Sequence, residues 1–228
     1  MTPPGPSYAS DWGARRRLST EDLDFGGAEH RLRGWILFVL EGFGRYGLSP
    51  VSHERLHLLL YLAAVLAPVY RLETPVIKIL KHRPLPFYPE AQFALERLAV
   101  SGHVESAGRE GVKDEGWTSD AYRISAEGLE TATLLARSAW GRRVRAFALD
   151  LVHGFARLDP GTADDLAGED AFYRQGRMER DDVKDVTPFN EAVQAAEWVA
   201  EDDGAAGPAN ERDRVFMYLA YLQARMAA

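Results

Sequence analysis

Apolar residues recur at three- and four-residue intervals over much of the chain, the spacing of a single helix face. Leu32, Trp35, Ile36, Val39, Leu40 and Phe43 predict a helix from about Arg31, with Gly44 to Gly47 as its stop. A second helix is expected to open at Ser49-Pro50, a cap followed by a first-turn proline, and to run through Leu56, Leu59, Leu60, Ala63 and Leu66 to Pro68. It is apolar almost all round, which places it centrally. Thr74-Pro75 repeats the cap-proline signal and predicts a short helix, Val76 to His82, closed by Pro84 and Pro86. From Pro89 a further helix carries Phe93, Leu95, Leu98 and Val100 as its buried stripe, and Gly102 stands where a left-handed residue ends a helix.

The period then changes. His103–Ser106 and Ala121–Ile124 predict two strands of a β-hairpin with a long polar tip. Ser125 caps a helix with Leu129, Ala132, Leu135 and Ala139, and a helix with Val144, Phe147, Leu151 and Phe155 follows or continues it. Thr162 with Asp165 predicts a short acidic helix ending near Tyr173, and Gln175–Thr187 a charged loop. Helices are expected over Pro188–Glu201 and Asn210–Ala227, with a turn at Asp202–Pro208 and with Val215, Tyr218, Leu219 and Leu222 on one face of the last. The first thirty residues, rich in Pro and Gly and then charged, are expected to be flexible. The chain contains no internal repeat.

The apolar and charged fractions, 46% and 27%, are those of ordinary globular proteins, and no apolar run reaches the roughly 18 residues of a membrane helix. Met1–Pro6 has neither the basic start nor the apolar stretch of a signal peptide, and without cysteine there are no disulfides and no thiolate metal sites. A cytoplasmic location is expected. Charge is unevenly spread: residues 159–203 hold 14 Asp/Glu against 4 Lys/Arg, whereas residues 1–158 are nearly balanced. The acidic stretch is expected to dock on basic helices of the same chain around Arg137–Arg145.

Helices, a strand pair and a closing helix are the parts of a winged helix. The run Pro86-Phe87-Tyr88-Pro89-Glu90-Ala91-Gln92-Phe93-Ala94-Leu95-Glu96-Arg97-Leu98, then Ser101-Gly102-His103-Val104, then Tyr122-Arg123-Ile124-Ser125-Ala126-Glu127-Gly128, resembles that of many bacterial winged-helix proteins. It is similar above all to winged-helix accessory subunits of ATPase complexes: the kite-type partners of chromosome-organising ATPases and the middle components of ABC three-component phage-defence systems. The resemblance covers roughly residues 50–135. It implies a mainly α protein, with a winged-helix-like domain over 31–158 and an acidic helical extension over 159–228. It further implies a non-enzymatic subunit without cofactor that assembles with a protein partner, an ATPase subunit among the candidates.

The helix before the wing would read DNA in a regulator, the alternative function. A reading face needs Arg, Lys, Asn or Gln, because phosphates repel carboxylates. This one offers Glu90, Gln92, Glu96 and Arg97, and at the wing tip Arg109 and Lys113 are offset by Glu110, Asp114 and Glu115. A protein partner is therefore favoured. Lys78, Lys81, His82 and Arg83 form one basic run and Arg137, Arg142, Arg143 and Arg145 another; with Gln92 and Arg97 they are the candidate partner or nucleic-acid contacts. A third alternative is a zinc metallopeptidase. His53-Glu54-Arg55-Leu56-His57 places two histidines one helical turn apart, with Glu73 or Glu90 as the remaining candidate ligand, but no second motif positions either, and no bound zinc is expected. Trp35-Ile36-Leu37-Phe38-Val39-Leu40 is apolar on more than one face, a pattern that predicts burial on two sides and hence a homodimer.

Overall fold

The structure is a computed structural model that describes residues 27–75, 78–82, 85–108, 120–161, 163–174, 183–186, 190–202 and 209–227. The expected flexible segment falls almost wholly outside that range. Helix α1 (Ala28–Arg45) starts a turn before Arg31 because its first residues are exposed and carry no apolar signal. Beyond Leu32 it is enclosed: Trp35 through Leu40 and Phe43 are all buried.

Strand β1 (Val51–Ser52) stands where the second helix was expected to begin. Val51 pairs with Tyr122 in a sheet, so the helix starts three residues later than expected, at α2 (His53–Leu66), capped by Ser52, whose hydroxyl accepts from the Arg55 N–H at 3.3 Å. Every residue of α2 from Leu56 to Leu66 is buried, the central position that its composition requires. A 3₁₀ turn over Ala67–Tyr70 follows, and Arg71 adopts the left-handed conformation at φ 53°.

The segment expected as a helix over Val76–His82 is strand β2 (Lys78–His82), paired with β3 (Leu85–Phe87). The β-branched Val76, Ile77 and Ile79, followed within a few residues by two prolines, leave too little length for a stable helix. Pro86 is tolerated because β3 is the edge of its sheet.

Helix α3 (Pro89–Val100) buries Ala91, Ala94, Leu95 and Leu98. Phe93 and Val100, expected on the buried stripe, point outward instead. Small residues let α3 lie close against α1, and that contact selects the face. Gly102 ends the helix at φ 77°, as its position predicts.

The hairpin forms as expected from β4 (Val104–Gly108) and β5 (Asp120–Ile124), and the sheet order is β1-β5-β4. Ser125 caps α4 (Ala126–Leu135) and Ser138 caps α5 (Ala139–Ala156), their hydroxyls accepting from Gly128 and Gly141 N–H at 3.0 and 2.9 Å. Leu129, expected on the buried face of α4, is exposed. At Gly128 an added Cβ would lie 2.1 Å from the His103 carbonyl oxygen, so only glycine lets α4 leave the hairpin this closely.

The acidic helix expected to reach Tyr173 is divided into α6 (Leu166–Glu169) and α7 (Ala171–Arg174), with Asp170 between them. Part of the expected charged loop is strand β6 (Val183–Asp185), which pairs with β2 to give a second sheet ordered β3-β2-β6. Helix α8 (Glu191–Asp202) starts after Asn190, whose side chain accepts from Val193 N–H at 3.1 Å and donates to the Val65 carbonyl at 3.0 Å. Helix α9 (Glu211–Met226) is capped by Asn210 and buries Val215, Tyr218, Leu219 and Leu222, as expected. The turn proposed after α8 lies largely outside the described residues.

The chain is mainly helical, with two small antiparallel sheets among the described residues. One buried cluster runs from α1 and α2 through α5 to α8 and α9. Trp35 meets Phe147 edge to face at 5.7 Å and Phe43 meets Phe155 at 6.3 Å. The two-sided burial that suggested a homodimer is thus supplied within one chain. No helix among the described residues is long and apolar enough to cross a membrane.

Candidate functional site

Capped by Ser52, α2 turns both histidines of the His53-Glu54-Arg55-Leu56-His57 sequence inward, leaving them 8% and 2% exposed with ring centroids 4.3 Å apart. His53 Nε2 lies 2.8 Å from Gln92 Oε1, and His57 Nδ1 accepts from the Tyr88 backbone N–H at 3.2 Å. Burial, reinforced by the neighbouring His53, pushes the His57 imidazole down to about 3 despite its hydrogen bond with Gln92, so it is neutral near pH 7. Glu73 is ion-paired with Arg31, while Glu54 and Glu90 are exposed. Among the described residues no group of three or more His, Cys, Asp or Glu could hold a metal ion. The pair forms a buried polar contact between α2 and α3, with Gln92 as the link.

Gln92 is therefore turned toward the histidines, and its amide also donates to Glu96 at 2.9 Å. Outward from α3 project Glu90, Phe93, Glu96, Arg97 and Val100, with Phe93 65% and Val100 91% exposed. The cation of this face is already engaged: Arg97 Nη1 lies 2.6 Å from Glu29 Oε1, a carboxylate that Arg33 also binds. What remains is apolar and acidic, and its carboxylates repel phosphate.

The basic residues divide. Lys78 is exposed on β2, Lys81 sits opposite Pro86 in the strand pair, and Arg83 lies outside the described residues. Arg145 is structural: with Arg45 it holds Glu41, whose carboxylate is almost wholly buried, at 2.5 and 2.7 Å. Burial raises the Glu41 carboxyl, but the hydrogen bonds and charges of the two arginines outweigh it and leave the pKa lowered. Arg142 and Arg143 are exposed and donate to backbone carbonyls, Arg142 to Arg137 at 2.8 Å and Arg143 to Tyr70 at 2.7 Å. The described carboxylates of the acidic stretch do not pair with Arg137–Arg145, contrary to expectation. Asp164 binds Arg55 at 2.5 Å, and Glu169 binds Arg174 and Arg225 at 2.8 and 3.3 Å. Those arginines lie nearer along the packed surface of α2, α7 and α9.

Comparison with protein families, curated proteins and solved structures gives no match to this chain.

Sequence reasoning missed one polar centre altogether. Asp170 is fully buried; its Oδ2 accepts from Tyr218 OH at 2.6 Å, and its Oδ1 from Tyr61 OH and, at 3.0 Å, from Tyr173 N–H. Desolvation raises its carboxyl above the ordinary range, against the lowering effect of those hydrogen bonds. Fully enclosed, it ties α2, α7 and α9 together. One carboxylate among fourteen in the acidic stretch carries no local sign that it turns inward.

Proposed function

We propose that the protein is a non-enzymatic winged-helix subunit that docks a protein partner on the outward face of α3. The order α1-β1-α2-α3-β4-β5, with β1 joining the hairpin in the order β1-β5-β4, supports the winged-helix assignment, with β2 and β3 as an insertion before α3. The observation that carries the docking proposal is the pairing of exposed Phe93 and Val100 on a face whose arginine is neutralised by Glu29. Large apolar side chains held on a rigid helix lose little entropy when a partner covers them. The resemblance of the α3-to-hairpin sequence to accessory subunits makes an ATPase the favoured partner and an anti-phage system the favoured setting.

The test is co-expression with the product of an adjacent ATPase gene. Phe93→Glu combined with Val100→Glu should leave the melting temperature within a few degrees, since both side chains are exposed, and should abolish co-purification. Retention of the complex by the double variant would exclude this face. Tight binding of the unmodified protein to one duplex sequence at physiological salt, weakened by Glu90→Lys and Glu96→Lys, would instead establish the DNA-binding regulator.

A further inference from the structure

We propose that Arg71, Arg137, Arg142 and Arg143, gathered where α4 meets α5, form a second docking surface that takes a short acidic segment of a protein partner. Most arginines described in this chain are matched to a carboxylate within 4 Å. Among the described residues these four are not, although all are exposed and the chain carries a net charge of -7. An acidic protein that leaves several guanidiniums unmatched in one place has a local field opposite in sign to the whole.

Their gathering follows from the fold. Arg143 reaches back to the end of the 3₁₀ turn, donating to the carbonyls of Tyr70 at 2.7 Å and Arg71 at 3.2 Å, which brings α5 to the left-handed residue Arg71. Arg142, one residue earlier, donates to the Arg137 carbonyl at 2.8 Å. Each of these two side chains is thus held by backbone while part of its donor fork stays free for a ligand. The first turn of α5 contains no acidic residue, so nothing there offsets the positive end of the helix dipole.

The chemistry narrows the partner. Guanidinium forks match carboxylates and phosphates in a planar, two-bond geometry. A long polyanion lying across the patch would meet the exposed carboxylate of Glu73, two residues from Arg71, and the negative field of the remaining surface. A short acidic peptide can contact the four arginines and little else. The surface is built on α5 and the 3₁₀ turn rather than on α3, so its test stands apart from that of the α3 face.

The probe is a fluorescein-labelled peptide of about eight glutamates, titrated with the full chain in polarisation at low and at physiological salt. Binding that weakens with salt is expected, and Arg137→Glu with Arg142→Glu should reduce the affinity about tenfold or more with an unchanged melting curve. Arg97→Glu, a control charge reversal on α3, should leave it within about twofold of the unmodified protein per added charge. Absence of peptide binding, or equal weakening per charge by Arg97→Glu, overturns the proposal. So does tighter binding of a duplex of about twenty base pairs than of the peptide, which would make the surface a nucleic-acid contact. If the charge reversal unfolds the chain, Arg142→Gln with Arg137→Gln replaces it, and retention of full affinity by that variant has the same force.

Discussion

Between pH 6.5 and 4.5 the protein is expected to lose about 2 kcal/mol of folding stability through His57 alone. In the unfolded chain the imidazole takes up a proton below 6.5, whereas in the folded state it stays neutral down to about 3. A depressed folded pKa means that its contribution is complete above 6.5 and is lost progressively as the pH falls toward 3. The window above 4.5 precedes the titration of Glu41, whose lowered carboxyl withdraws its own contribution only at more acid pH. Urea midpoints measured through that window for the unmodified protein and for His57→Gln separate the effect, because glutamine keeps an acceptor for the Tyr88 N–H but takes no proton. The variant should show the shallower pH slope by about this amount; equal slopes would mean that His57 is not held neutral.

Replacing Asp170 by alanine is expected to cost about 3–5 kcal/mol, the scale of breaking a buried charged network from one side. The hydroxyls of Tyr61 and Tyr218 and the N–H of Tyr173 would lose their acceptor in a place that water does not reach. Asp170→Asn keeps the shape and one acceptor oxygen, and should cost less than half as much. It also carries a pH signature of opposite sign to that of His57. A raised folded pKa gives stability that is full below the ordinary carboxyl range and is lost as the pH rises through the folded value. The cost of Asp170→Asn should therefore be smaller at pH 7 than at pH 4. Chemical denaturation of both variants checks this, and an alanine variant no less stable than the asparagine one would refute the network.

Where a structural feature is set by neighbours in sequence, the sequence states it. Ser125, Ser138 and Asn210 are caps because a side-chain oxygen two or three residues ahead of a free N–H is enough, and the buried face of α9 follows from its own spacing. The second sheet is different. Lys78 becomes strand because it meets Asp185, a partner more than a hundred residues away that no local pattern announces. The same holds at the candidate sites. Bulk predicts Phe93 and Val100 on the buried side of α3, whereas the face that packs inward carries the small Ala91 and Ala94. Arg145 and Arg97 read as free cations until Glu41 and Glu29 come alongside them. The two histidines lie at ligand spacing, yet Gln92 and the backbone of Tyr88 are what they meet.

The polar clasps on α2 also bear on how the chain is made. Tyr61 waits for Asp170, 109 residues later, and Val65 for Asn190, 125 residues later. At translation speeds of roughly 5–20 residues per second, that delay is about 5–25 s. Throughout it an almost entirely apolar helix has left the ribosome without the acidic stretch and closing helices that cover it. The exposed apolar helix is the feature a holdase chaperone would bind, so chaperone occupancy on ribosomes is expected to rise after α2 emerges and to fall once α9 is released.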